Sequence, residues 1–187
     1  MQVFRSRFSR VLAGASIGVL LLGWSITLIN IGPAAAISSL PTTLLFSYLA
    51  LITFYTPKVS VSDREVVIEN ILRSHRLSLS AIKRIDTKWS LTLFTEKAKY
   101  SAWGAPAPGR HSSIFASRDQ GSHLPESTYL AGTVRPGDLI SSDSGAPAAY
   151  IRRLWEQRGG EVVEQTHWHI GRIVLLAIFV AANLIAL

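Results

Sequence analysis

The chain has no cysteine. That excludes disulfides, thiol-linked lipoprotein attachment and thiolate metal sites, and it leaves the compartment open. The chain also has no acid before Asp63 or after Glu164, and no charge of either sign across residues 11–57. A neutral run of that length is not the surface of a soluble domain. The overall hydrophobic content, 48%, would suit one, so the placement of these residues decides the class.

Charge is present, but unevenly. The net charge is +7. Arg5, Arg7 and Arg10 form a basic tail over residues 1–10. Residues 57–169 carry 15 of the 19 Lys and Arg beside all 12 acids, a mixed surface and not a nucleic-acid stripe. The positive excess sits next to apolar segments, where it faces anionic lipid.

Three runs have the character of membrane spans. Residues 11–29 cover roughly 28 Å at 1.5 Å per residue, close to the ~30 Å hydrocarbon core. Asn30, Gly32 and Pro33 break that helix. A second run occupies 37–56, with Pro41 expected in its first turn and Pro57 as its stop. Residues 11–56 thus read as a transmembrane hairpin. The third run, 170–187, follows a connector from 161 and is short; Arg172 snorkels and Trp168 sits at the interface. The arginines before the first helix and Lys58 and Arg64 after the second place the N-terminus and central region in the cytoplasm, and the C-terminus outside. A rival reading takes Ala34-Ala35-Ala36 as a signal-peptidase site. Against it, the apolar stretch exceeds the usual h-region and a further apolar run follows at once.

Gly14 and Gly18 form a G-x-x-x-G, which lets helix backbones approach closely. Ala177 and Ala181 offer a similar face on the third run. Either set packs against a partner helix, a second copy, or this chain's own helices.

Residues 57–104 alternate apolar and polar positions in short segments. Val59 and Val61, then Val66 to Ile71, read as strands around a Ser-Asp-Arg-Glu turn. Leu77 and Leu79 point one way, with His75, Arg76, Ser78 and Ser80 assigned to the polar side. Ile82 and Ile85 follow. Trp89, Leu91 and Leu93 are expected to share the inner face, as are Tyr100 and Ala102. Lys83, Arg84, Lys88, Lys97 and Lys99 point outward. About six short strands with tight turns imply an antiparallel meander that closes into a small barrel or packs as two sheets. A loop insertion follows at about 105–146, rich in Pro, Gly and Ser, with apolar patches at Ile114-Phe115 and 129–134. Residues 147–158 suit a helix that starts at Pro147 and stops at Gly159-Gly160. Its stripe of Ile151, Leu154 and Trp155 is placed to plug the open end of the strands.

The stretches PKVSVSDREVVIEN, HRLSLSAIKRIDTKW, YSAWGAPAPGR and AAYIRRLWEQRG together resemble the small actinobacterial pleckstrin-homology-like proteins of the bacterial PH family. The likeness spans about 57–159, apart from most of 107–146. It implies a membrane-tethered PH-like barrel capped by a C-terminal helix, with a non-enzymatic role and no cofactor. The long insert and the third apolar run go beyond the short family members. Phosphoinositide-binding PH domains grip phosphates with several cations in the first strand hairpin. Here that hairpin carries Asp63 and Glu65 beside Arg64, which argues against inositide recognition by that route.

No catalytic set stands out. His167 and His169 form an H-x-H without an acid at metal-ligand spacing and fit an interfacial belt with Trp168 better than a metal site. Serines are abundant and His111 and His123 are present, but no nucleophile elbow occurs. Glu161, Glu164 and Arg158 are expected to solvate the connector. Two functions follow. One is an accessory or scaffolding subunit of a larger membrane complex (respiratory, transport or secretion), or a self-associating chain, using its helices. The other is a sensor whose basic sheet face reads anionic lipid headgroups at the bacterial inner membrane. Nucleic acid is not expected as a partner, because the interleaved acids repel phosphate.

Overall fold

The structure is a computed structural model that describes residues 1–108, 136–156 and 159–186. Most of the expected insertion, with His111, His123 and both of its apolar patches, lies outside the described residues. In chain order the elements are β1 (Gln2–Phe4), α1 (Arg7–Asn30), α2 (Pro33–Ala50), β2 (Lys58–Val61), β3 (Glu65–Glu69), β4 (Arg73–Ser78), β5 (Arg84–Asp86), β6 (Ser90–Phe94), β7 (Lys99–Pro106), α3 (Gly145–Trp155), β8 (Glu164–Trp168) and α4 (Ile170–Ala186). The chain divides into two compact units. Met1–Ser6 with Pro57–His167 form one, and Arg7–Thr56 with Trp168–Leu187 the other.

In the helical unit, α2 lies between α1 and α4. α1 and α2 are both long and apolar enough to cross a membrane, α2 counting the π-helical turn Leu51–Tyr55 that prolongs it. α4 is apolar but has 17 residues, about 26 Å at 1.5 Å each. The hairpin turn is made by Gly32 at φ 111, a conformation that favours glycine, and Pro33 then opens α2. Pro41 therefore sits inside α2 and not in its first turn. The helix starts four residues earlier than its apolar pattern suggests, because Ala34 to Ala36 are good helix formers that carry no amphipathic signal. Trp24 Nε1 donates to the Ala36 carbonyl at 2.9 Å across the turn, so the triple-alanine stretch is held within the packed hairpin. Hydroxyls in the neutral segment bond back to carbonyls one turn earlier, as Ser25 does to Leu21 and Thr43 to Ser39. Each such bond satisfies its own hydroxyl donor; Ser47 Oγ, in α2, is buried with no hydrogen-bond partner among the described residues. Between α2 and α4, Asn183 Nδ2 donates to Thr42 Oγ1 at 3.1 Å, Tyr48 OH donates to the Arg172 carbonyl at 3.1 Å, and Tyr48 meets Phe179.

In the β unit the strands form two sheets. One has the order β1-β2-β3-β4-β8, the other β5-β6-β7. The expected closed barrel is not what the ladders describe; the alternative of two packed sheets is. Val59, Val61, Val66, Ile68 and Leu77 of the first sheet are fully buried against Leu91, Leu93, Ala102 and Ala105 of the second. Asn70 ties the sheets in place of a ladder: its side chain donates to the Ser101 carbonyl at 2.9 Å and accepts from the Trp103 N–H at 2.8 Å. Gly104 lets β7 pass against the start of β2, since a Cβ there would stand 2.6 Å from the Pro57 carbonyl carbon.

Two strands were not anticipated. The expected basic tail contains β1, paired antiparallel to β2 with Gln2 opposite Val61 and Phe4 opposite Val59. The expected connector contains β8, at the other edge. Three or five residues, paired only with distant strands, leave no local periodicity to read. Trp89 also departs from expectation. It is 75% exposed, because it precedes β6 in a turn where Asp86 Oδ1 accepts the N–H groups of Thr87 and Lys88.

Helix α3 closes the core. Ile151 is buried, Leu154 and Trp155 pack on the cluster, and Trp155 Nε1 donates to the Ile82 carbonyl at 3.0 Å. A buried ion pair anchors the helix: Arg152 Nη2 lies 2.9 Å from Asp138 Oδ1, and Thr87 Oγ1 donates to the same oxygen at 2.8 Å. Asp138→Ala removes the buried carboxylate that Arg152 and Thr87 share. It is expected to cost about 3–5 kcal/mol in denaturant unfolding. A cost under about 1 kcal/mol would show that the pair does not hold α3.

Candidate functional site

The outward cations lie on the second sheet and its turns. Register places Arg84, Phe94 and Lys99 in one cross-strand row. The Arg84 guanidinium stands 3.9 Å from the Phe94 ring centroid, so the row is an aromatic flanked by two exposed positive charges. The next row joins Asp86, Thr92 and Ser101, with the two hydroxyls 3.0 Å apart. Lys97 is exposed in the β6–β7 turn, where the Thr95 N–H donates to the Ala98 carbonyl. Lys83 bonds Glu96 at 2.8 Å across the same end of the sheet, which neutralises one of its charges. At the other end Lys88 Nζ lies 5.6 Å from the Trp89 ring. Trp103, on β7, is 56% exposed. Chemically the face offers cations and two indoles, a set that suits an anionic surface with apolar depth behind it.

Among the other residues singled out from the sequence, Arg5, Arg7 and Arg10 are all exposed, the last two inside α1. Gly14 and Gly18 are exposed on α1, and a Cβ added at either would meet nothing within 4 Å. Ala177 and Ala181 are exposed on α4. The small residues buried in the helical unit are instead Ala13, Ala36 and Ala50. His167 is exposed on β8. No group of three or more His, Asp and Glu side chains arranged for a metal occurs among the described residues.

A second polar constellation was missed. His75 lies on the inner face, opposite Ile68, and is buried. Its Nδ1 is 2.9 Å from Thr166 Oγ1, and its ring meets Tyr100 at 4.7 Å. The Tyr100 hydroxyl donates to the Glu164 carboxylate, so Glu164 is an internal acceptor and not merely a solvated connector residue. Strand parity held the signal: His75 is two residues from Leu77 and must share its face. Its partner on β8, Thr166, is 91 residues away and left no trace. Burial, helped by nearby Arg73, depresses the His75 pKa and keeps the imidazole neutral. Burial, then the bond to Glu164 and its charge, pushes the Tyr100 hydroxyl up to about 12.

Comparison of the chain with protein-family models, with curated proteins and with solved structures finds no match in any of the three.

The Tyr100 shift has a testable sign. Its folded-state pKa is raised above the ordinary value of about 10. The associated stability is therefore complete below pH ~10 and is lost as pH rises towards 12. Unfolding measured across that window should show a fall that Tyr100→Phe abolishes. An unchanged slope in the variant would mean the phenol is not held by Glu164.

Proposed function

We propose that this chain is a non-enzymatic integral protein of a bacterial cytoplasmic membrane, akin to the actinobacterial PH-like proteins, that presents a PH-like domain on the cytoplasmic side. In this reading it serves as an accessory or scaffolding subunit of a larger membrane complex of respiratory, transport or secretion type. The supporting observation is the wiring of the five-stranded sheet. β1 leads into α1, α2 returns into β2, and β8 leads into α4, each through one or two residues. β1 and β2 are hydrogen-bonded to each other, so the hairpin leaves from and returns to one sheet. Two crossings then put both of its ends on the same side of the bilayer, and the arginines near the N-terminus make that side the cytoplasm. α4, short but with Arg172 near its start to snorkel, makes the third crossing and carries the C-terminus outside.

Tethering of this kind removes most of the translational freedom of the β unit and raises its effective concentration for any neighbour in the same membrane. The uncovered small-residue faces at Gly14 and Gly18, and at Ala177 and Ala181, are the surfaces a partner helix would use. The test is purification from the native membrane in mild detergent. A stoichiometric membrane partner should co-elute with the wild-type chain and be lost with Gly14→Leu/Gly18→Leu, at positions where an added Cβ meets nothing within 4 Å. Elution of the chain alone, or retention of the partner by the variant, would sink the proposal.

The cation and tryptophan face favours a second reading, a sensor of anionic headgroups. Each basic residue at an anionic surface contributes ~1 kcal/mol and is screened by salt. With the chain in nanodiscs, acrylamide quenching of Trp89 and Trp103 should fall when phosphatidylglycerol replaces phosphatidylcholine. High salt, or Arg84→Glu/Lys97→Glu/Lys99→Glu, should restore it. Equal quenching in both lipids would remove this reading.

A further inference from the structure

β1 is the outermost strand of its sheet, and among the described residues no strand pairs with its far edge. An open edge is a template for another strand, and proteins usually blunt it with charge, proline or cover. β1 carries no charge and no proline, and Val3 is 48% exposed. Alongside the strand lies a groove of ≈ 290 Å³ whose other wall is α3. Its lining is Phe4, Ile140, Ala146, Ala149, Tyr150 and Arg153, with Gln2 at one end.

The chemistry of the walls narrows the occupant. The volume is far too small for a helix about 10 Å across and suits one or two side chains of an extended strand. Phe4 and Tyr150, ring centroids 5.9 Å apart, make an aromatic wall, and Ala146 and Ala149 keep the α3 wall low. Among the described residues Arg153 is the one charged member of the lining, and no carboxylate there competes for it; its guanidinium stands 5.0 Å from the Tyr150 ring centroid and is exposed.

We propose that the groove between β1 and α3 accepts an extended peptide segment of a partner protein as an added strand. Backbone pairing with β1 supplies the register, an apolar side chain enters beside Phe4, and an acidic residue of the peptide meets Arg153. This deepens the accessory-subunit reading and rests on it, by naming what the β unit grips as distinct from what its helices pack against.

The probe is a panel of fluorescein-labelled heptapeptides in which Val or Phe alternates with Thr and one Thr is replaced by Glu, titrated by anisotropy against the full chain in nanodiscs. Saturable binding is expected for panel members with the Glu in register. Methylating alternate backbone nitrogens on the pairing edge should weaken it at least ~10-fold, because those N–H groups are the ladder donors. Arg153→Gln and replacement of the peptide Glu by Gln should each weaken it ~5-fold or more, and together no further. Ala149→Leu should block all members. The proposal is overturned if no member saturates below about 1 mM, if the methylated peptide binds equally well, or if Ala149→Leu abolishes a dimer instead, which would make a second copy the occupant. The partner-loss test with the Gly14 and Gly18 variants leaves the groove untouched, so failure here and failure of the membrane-complex reading are separately visible.

Discussion

The pairing of β1 with β2 is the contact on which the rest of this structure depends. Three residues at the N-terminus sit in register with Val59, Ser60 and Val61 although the whole apolar hairpin lies between them. In a flexible chain, closing a loop of about 50 residues costs on the order of 3–4 kcal/mol. Three ladder positions at an edge do not offset that comfortably. The loop is not flexible, however. α1 and α2 pack along their length, and the Trp24 bond to the Ala36 carbonyl pins their turn. A folded hairpin brings its own ends together, so its assembly bears the closure cost and leaves the strands free to pair. A hairpin folded in this way lowers the closure cost that the pairing of β1 with β2 has to meet.

The β unit shows the same economy. Its core is small, so two sheets and one helix need fasteners beyond apolar burial. Asn70 does the work of a strand partner between the sheets, and Asp138 joins Arg152 on α3 to Thr87 beyond β5. Both lie on connections between elements, where one polar side chain can replace several backbone bonds. His75, Tyr100, Glu164 and Thr166 form a third fastener, which holds β8 to β4 and β7 from within. Of these groups Asp138, Thr87 and His75 are buried, and each has a hydrogen-bond partner within the fold, as a buried polar group requires.

Much of the architecture was legible in the residues. The neutral run of 11–57 required buried or lipid-facing helices. Alternation through Val59, Val61, Val66 and Ile68 required a one-sided sheet. Pro147 and the Ile151, Leu154 and Trp155 stripe required a helix on the core. The outward direction of Arg84 and Lys99 followed from the same parity, while Lys83 and Lys97 lie just outside the strands. These are local signals, set by covalent geometry and the burial of apolar surface, and they survive without knowledge of the fold.

What the sequence determined by itself, then, was the identity of the apolar segments, the inner face of the central strands and the basic outer face of the second sheet. What only the tertiary structure decided was every feature made of two distant parts: β1 on β2, β8 on β4, Glu164 on Tyr100, and the groove between β1 and α3. The physical reason is range. A strand of three residues or a lone carboxylate has no preferred partner until the chain brings one within a few ångströms, and that approach is set by the packing of everything between them.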